Sequence, residues 1–523
     1  MAERDISIFE IVGPVMLGPS SSGTAGMARL GRAACEFLTG PLASISIRYH
    51  PRDTGFFGLR SHVALVGGVL GFEPYDPRLR EALSIAKEQG IALSASQFAP
   101  DALPESALAV ELDMVQRSGK RCTIAGVSVG GGSIAVTGID GFSVSLSSTG
   151  AYVFIWSDAP AGESLQEIFP GCPIECARRG EQYLYYVNTG REPDRQGAER
   201  GRSLPGVTRT LAVSPFLSLG YVPHQPLVTS FAQLLELSER EGKDIFEIAM
   251  AYERSRSGRS REEIWAEMTR MLEHMRQAVR EGMSSPVKTL FGFGSGEDGR
   301  KLMRAMEEGK TLSGATLNRA VAKALSTMEV ACAMGCVVAA PTAGSCGIVP
   351  GCLLTVQEDR GLPDEQVVKA LFAAAMCGVV MYYHQVSFSG MGGGCQGEIG
   401  VSSAIAAAGL AYLGGGTTVQ VTDACALALK NILGLICDRI GGSSEIPCIR
   451  RNGIGVSNAF CGADLALAGI SSYVPPDEVV DALVDCERRL PPELRGGCGG
   501  LTSTPAAARA REVEGQVNAS LAI

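Results

Sequence analysis

Three cysteines sit in glycine-rich or turn-like surroundings: Cys395 in SGMGGGCQGEIG, Cys437 in GLICDRIGG and Cys448 in EIPCIRRN. Glycine-rich backbone allows close approach and leaves N–H groups free, which a thiolate or a cluster sulfide needs for stabilisation. Cys437 and Cys448 are separated by ten residues across a Gly-Gly-Ser-Ser turn. A disulfide, zinc, an iron–sulfur cluster and plain core packing are the uses to weigh. Three thiolates from separate loops suit a [4Fe–4S] cluster with one iron left open for a substrate. The alternative is a set of tight helix-packing turns with incidental thiols.

The rest of the composition narrows these choices. Twelve of the sixteen cysteines lie between Cys332 and Cys498, no CxxC pair occurs, and there are five histidines. A closed zinc site of common spacing is therefore not expected. The N-terminal MAERDISIFE lacks a basic region followed by an apolar stretch, so no signal peptide is expected and the protein is expected in the cytoplasm. Thiols there stay reduced, which removes disulfides. Net charge is −9 with 19% charged residues and no run of like charge, a poor match to nucleic acid or an acidic membrane surface. The most apolar window, Ala370 to Tyr383, is too short to span a bilayer and reads as a buried helix.

The elements that must position these thiols fall into a multidomain pattern. Residues 1–148 read as an α+β domain. HVALVGGVLG and EALSIAKEQG are helical, the second capped by Gly90, and SIAVTGIDGFSVSLS is a hairpin around an Asp-Gly turn. Residues 149–214 read as a small module in the order βαββ(α)β: AYVFIWS, GESLQEIF, CPIECAR, EQYLYYVN and TRTLAVS, with a polar stretch from Asp194 to Arg202. That order suits a ferredoxin-like sheet. Residues 215–230 form a proline-rich linker. Residues 231–523 are expected to be all-α, with Ala/Gly/Val-rich helices packed inside one another.

The segments PTAGSCGIVPG, GGGCQGEIG, LKNILGLICDRIGG, EIPCIRRN and LPPELRGGCGGLTSTPAAAR resemble the α-chain of iron–sulfur L-serine dehydratases. SIFEIVGPVMLGPSSSGTAGMARLGR, ALVGGVLGFEPYDPRL and SVGGGSIAVTGIDGFSVSLS resemble the β-chain. The resemblance covers nearly the whole chain as a β–α fusion and places a divergent ACT-like module at 149–214. It implies a [4Fe–4S] cluster on Cys395, Cys437 and Cys448, acting as a Lewis acid on the β-hydroxyl and carboxylate of a small amino acid, by default L-serine. A base would take the α-proton, and the enamine would tautomerise and hydrolyse to a 2-oxo acid and ammonia. A different β-substituted substrate such as cysteine, or a non-catalytic cluster or amino-acid sensor, are the alternatives. By family analogy a homodimer is expected.

Two departures from the family pattern matter. Its Ser-Ser-Ser-His-Thr loop is Ser20-Ser21-Ser22-Gly23-Thr24 here, and its Gly-His-Gly-Thr-Asp is Gly58-Leu59-Arg60-Ser61-His62. Both family histidines, the natural acid–base candidates, are absent. His62 is then a candidate replacement base and Arg60 a candidate grip for an acidic group, with Arg52 nearby; the bland reading is that all three face solvent. Ser20, Ser21, Ser22 and Thr24 are candidate substrate binders or helix caps. Thr342 and Ser345 are expected to shape the pocket, with Cys346 between a reactive thiol and a bystander. His384 is either a satisfied core histidine or a reserve base, and Cys498 in GGCGG could cap the open iron at rest. Cys172 and Cys176 are expected to be packing residues.

Overall fold

The computed structural model describes residues 5–53, 55–147, 150–190, 192–215, 225–440 and 443–519. They fall into two compact units, one formed by residues up to Ala25 together with those from 225 onward, the other by residues 26–215.

The second of these units is sheet-rich. Six strands run in the order Ala92–Gln97, Leu42–Tyr49, Ala109–Gln116, Arg121–Gly130, Ser133–Ile139 and Phe142–Ser147; only the first pair is parallel. Arg121–Gly130 alternates buried and more exposed residues, as a strand with one covered face must. The expected hairpin closes at Asp140–Gly141, where φ is +50° and +80°, the double positive φ of a type I′ turn. The expected helices are Ser61–Val69 and Ala82–Glu88. Helix Met27–Cys35 lies against Ser61–Val69 with almost no gap: a Cβ on Gly31 would strike the Leu65 carbonyl, and one on Gly68 the Ala28 carbonyl. Leu30 fills the space over Gly126 of the sheet, where a Cβ would lie 2.5 Å from its Cδ1.

The same unit holds a four-stranded antiparallel sheet in the order Val207–Val213, Ala151–Ser157, Gln182–Gly190, Ile174–Arg179, with helices Gly162–Ile168 and Arg195–Arg202 between strands. This is the βαββαβ order of a ferredoxin-like fold. Val153, Ile155, Leu165, Phe169 and Val187 form its core. Cys172 packs partly buried against that core, but Cys176 is exposed, because Ile174–Arg179 is the edge strand. Phe154 packs on Phe37 at 5.1 Å between ring centroids, and Arg209 donates to the Phe37 carbonyl at 3.2 Å while its guanidinium lies over Trp156.

The other unit is helical, with one correction to the all-α expectation. Val15–Leu17 pairs antiparallel with Cys336–Val338, so the N-terminal segment is built into the helical unit. Two three-residue strands far apart in sequence leave no local periodicity to read. Further bonds tie this segment down. Tyr252 Oη donates to the Ile6 carbonyl at 2.7 Å, and Ser7 Oγ and the Ile8 N–H donate to Glu253 at 3.0 and 3.1 Å. The wholly buried Arg256 pairs with Asp5 at 2.8 Å. Ile399–Leu413 and Asp364–Tyr383 run through the core on small side chains. Asp364–Tyr383 is long and apolar enough to cross a membrane, yet 78% of its apolar window is buried inside the protein. It is the buried helix expected from the sequence.

Because two backbones meet at Gly31 and Gly68, Gly68→Ala should destabilise the sheet-rich unit by about 1–3 kcal/mol, as overpacking does. Urea unfolding followed by circular dichroism measures this; an unchanged midpoint would mean that the helices are not in contact there.

Candidate metal centre

Cys395 opens a single tight turn, Cys395–Gly397, between the short helix Gly390–Gly393 and the core helix Ile399–Leu413. Cys437 lies on an extended segment against the loop that follows helix Pro476–Arg489. Its N–H donates to the Leu494 carbonyl at 2.9 Å and its carbonyl accepts from the Gly496 N–H at 2.6 Å. Cys448 is the first residue of helix Cys448–Leu467. All three thiols are buried.

Cys395, Cys437 and Glu398 each present a ligand atom within 4.8 Å of the others. Glycine makes this possible: a Cβ on Gly390 would fall 2.6 Å from Glu398 Oε2 and 2.7 Å from Cys437 Sγ. Cys448 stands just outside this tight group but interacts electrostatically with Cys437 and Glu398. Burial, reinforced by those charges, pushes its thiol up to about 12. Cys395 and Cys437 share a hydrogen bond, which lowers the Cys437 thiol and raises that of Cys395, the donor. Glu398 is held above the usual carboxylate range by burial, partly offset by Arg439 and by the Thr342 hydroxyl.

Two cations balance this acidic cluster. Arg451, one helical turn after Cys448, donates from Nη1 to Cys395 Sγ at 3.3 Å and to the Ile436 carbonyl at 2.9 Å, and from Nη2 to Asp438 at 2.7 Å. Arg439 acts on both Cys437 and Glu398. Asp438 in turn accepts from the Leu501 N–H at 3.0 Å, fastening the C-terminal loop.

Part of the Gly-Gly-Ser-Ser turn, Gly441 and Gly442, lies outside the described residues. The chain on either side still closes, since the Ile440 N–H donates to the Ile446 carbonyl at 2.9 Å. Glu445 anchors the return. Its carboxylate accepts from Thr289 Oγ1 at 2.8 Å and from the N–H groups of Phe291, Phe293 and Gly294 at 2.7, 2.8 and 3.2 Å.

Of the other expected residues, Thr342 and Ser345 are brought to the centre. Thr342 hydrogen-bonds Glu398, and the Thr342 and Ser345 hydroxyls lie 3.1 Å apart. In the Ser20–Thr24 loop, Ser20 Oγ accepts from the Gly23 N–H at 2.9 Å, a capping contact, and Thr24 is wholly buried. Ser21 and Ser22 continue into the π-helical turn Ser21–Gly26, and Ala25 packs in the apolar cluster that contains Cys346 and Cys448. Cys346 is buried, with its thiol pushed up to about 12, so the reactive-thiol reading falls to burial. His384 is held at both ring nitrogens, by Asp477 at 3.0 Å and Asp481 at 2.8 Å. An imidazole donating at both sites has no lone pair to act as a base. Cys498 is exposed, two residues beyond Gly496, which faces Cys437. Arg60 and His62 are both buried in the sheet-rich unit, against the solvent-facing reading; Arg52 is exposed and bonds the Glu105 carbonyl at 3.0 Å. Glu398, Asp438, Arg439, Glu445 and Arg451 were not expected from sequence. Their one signal is proximity, a carboxylate three residues after Cys395 and a guanidinium three after Cys448.

The serine dehydratase alpha chain family model matches residues 240–497, which include Cys395, Glu398, Cys437, Asp438, Arg439, Glu445, Cys448 and Arg451. The chain is 41% identical over 286 residues to a probable L-serine dehydratase alpha chain of Bacillus subtilis, 54% of this chain and 93% of that one. It is 34% identical over 283 residues to the L-serine dehydratase alpha chain of Peptoniphilus asaccharolyticus, 53% of this chain and 95% of that one. An L-serine dehydratase of Escherichia coli is 40% identical over 163 residues, 31% of this chain and 36% of that one.

The carboxylate of Glu487 sits beneath the glycine-rich turn. The Ser387 N–H donates to both its oxygens at 3.2 Å, and a Cβ on Gly397 would lie 3.4 Å from Oε1. Burial raises it to about 7. An acid whose folded value exceeds its unfolded one binds more protons when folded, so stability falls as pH rises from about 4.5 to about 7. Glu487→Gln should remove that loss, on the order of 2 kcal/mol at pH 8. Denaturant midpoints at pH 5 and pH 8 check it, and a pH slope the same in both proteins would refute it.

Proposed function

The chain belongs to the serine dehydratase alpha chain family, and from that membership we propose that it dehydrates and deaminates L-serine to pyruvate and ammonia, using a [4Fe–4S] cluster held by Cys395, Cys437 and Cys448. The observation that carries this reading is the approach of two buried thiols and Glu398 within 4.8 Å, inside the matched segment. The donor set fits the group: buried thiols on glycine-rich backbone, a guanidinium on one sulfur, and a place at Gly390 that any side chain would fill.

The bound cluster would supply a Lewis acid for the substrate's hydroxyl and carboxylate. Arg451 and Arg439 offset the negative charge that three thiolates and Glu398 bring into one buried place. We assign the α-proton to a carboxylate oxygen of Glu398, the acid–base group at the centre now that Gly23 and Leu59 stand where the family has histidines. Thr342 Oγ1 orients that carboxylate. Water leaves from Cα and Cβ, the enamine tautomerises to an imine, and hydrolysis of the imine gives pyruvate and ammonia. We read the ferredoxin-like module as ACT-like, pairing across a homodimer.

The test is pyruvate formation from L-serine by anaerobically purified protein with iron measured on the same sample. Glu398→Gln should keep its iron and lose about 10²–10⁴-fold in kcat, the usual worth of a general base. Cys437→Ser should lose the iron. An iron-loaded wild type that makes no pyruvate would sink the L-serine reading, and full activity in Glu398→Gln would remove Glu398 from the role.

A further inference from the structure

Helices Met27–Cys35, Ser61–Val69 and Ala82–Glu88 of the sheet-rich unit end at one place, beside the starts of strands Leu42–Tyr49 and Ala92–Gln97. Between these ends lies a cavity of about 600 Å³, the size of a small-molecule site. Its apolar wall is Leu42, Val69 and Ile91, all buried, with Leu38 and Leu70 half-buried beside them. None of the residues assigned to the metal centre lines it, and it lies outside the matched residues 240–497.

Arg117, Glu88 and Cys35 line the same cavity. Arg117 is fixed there twice. Its N–H donates to the Pro41 carbonyl at 2.8 Å and its Nη2 to the Gln89 carbonyl at 2.7 Å, and Pro41 and Gln89 are lining residues too. The ends of helices favour cations, and Arg117 is the cation that sits at the end of Ala82–Glu88. Only Nη2 is engaged, and no carboxylate pairs with the guanidinium among the described residues. Cys35 presents a half-buried thiol, kept uncharged because burial raises its pKa. Glu88 is exposed and would repel a second negative charge on an occupant. A planar fork of donors beside an apolar wall is the complement of one carboxylate on a hydrocarbon body.

We propose that this cavity binds a monocarboxylic acid with a hydrocarbon body of about six to ten carbons, its carboxylate on Arg117 and its chain against Leu42, Val69 and Ile91. The site is built within the sheet-rich unit alone. It stands apart from the cluster reading, because binding is read without turnover and without iron chemistry.

The test uses the full chain and three probes, octanoate, butyrate and octylamine, each titrated calorimetrically. Octanoate should bind at least about 10-fold more tightly than butyrate, because it buries four more methylenes. Octylamine, which brings a cation to Arg117, should not bind. Arg117→Gln, at an exposed position, should weaken octanoate by at least about 10-fold. Leu38→Trp should fill the cavity and abolish octanoate binding with Arg117 still in place. The Cys35 thiol reports where the probe sits. Saturating octanoate should slow alkylation of Cys35 by iodoacetamide at least about 5-fold, read by mass spectrometry. The exposed Cys176 and Cys461 should react at unchanged rates. Faster alkylation of the buried cysteines would mean that octanoate unfolds the chain, and would overturn the proposal. So would octylamine binding as well as octanoate, an unprotected Cys35, or octanoate binding that survives both substitutions.

Discussion

Bringing three thiols and a carboxylate to one buried place is costly, because burial raises the proton affinity of Cys448 and Glu398, and the charges of Cys437 and Glu398 raise that of Cys448 further. Arg451 is what makes that convergence tolerable. Its guanidinium reaches Cys395, the Ile436 carbonyl and Asp438 at once, so one side chain both supplies charge and fixes the segments that carry two of the thiols. A lysine could supply the charge but not three contacts in fixed directions. Gly390 provides the complementary condition, a missing side chain where Cys437 and Glu398 must meet.

Much of the helical unit reads as support for that arrangement. Helix Ile399–Leu413 is buried along nearly its whole length, so the turn it starts, with Cys395 and Glu398, has a rigid base. Glu445 binds the loop before Cys448 to residues 289–294 through four hydrogen bonds. The C-terminal loop closes over Cys437 through Leu494 and Gly496 and is tied back at Leu501 by the same Asp438 that pairs with Arg451. The N-terminal strand Val15–Leu17 is paired just ahead of Thr342, and Met16 on it and Ala25 beyond it join the apolar cluster around Cys346 and Cys448.

Residues with a local signature were legible in the sequence. Cys395 and Cys437 stand out because glycine and thiol together are unusual outside a helix interior, and the Asp140–Gly141 hairpin and βαββαβ order follow from turn residues and alternating strands. Contacts made across long stretches of chain were not. The pairing of Val15–Leu17 with Cys336–Val338 has no periodicity to betray it. Glu398 and Arg451 look in sequence like any surface charge, and only the fold shows them buried or half-buried beside sulfur. His384 illustrates the converse: its position before the glycine-rich motif suggested chemistry, and two aspartates on helix Pro476–Arg489 claim it for an ion pair. Arg60 and His62 were singled out as departures from a family pattern; that both are buried could be learned only from the structure.

The central claim is that Cys395, Cys437 and Cys448 together hold one [4Fe–4S] cluster with an iron open to substrate. Mössbauer spectroscopy of the anaerobically purified, iron-57-labelled full chain tests it most directly. The result predicted is four irons per chain, one of which changes its isomer shift when L-serine is added, with the whole signal lost when the three cysteines are replaced by serine. A chain without iron, or a four-iron signal that survives that triple replacement, would contradict it.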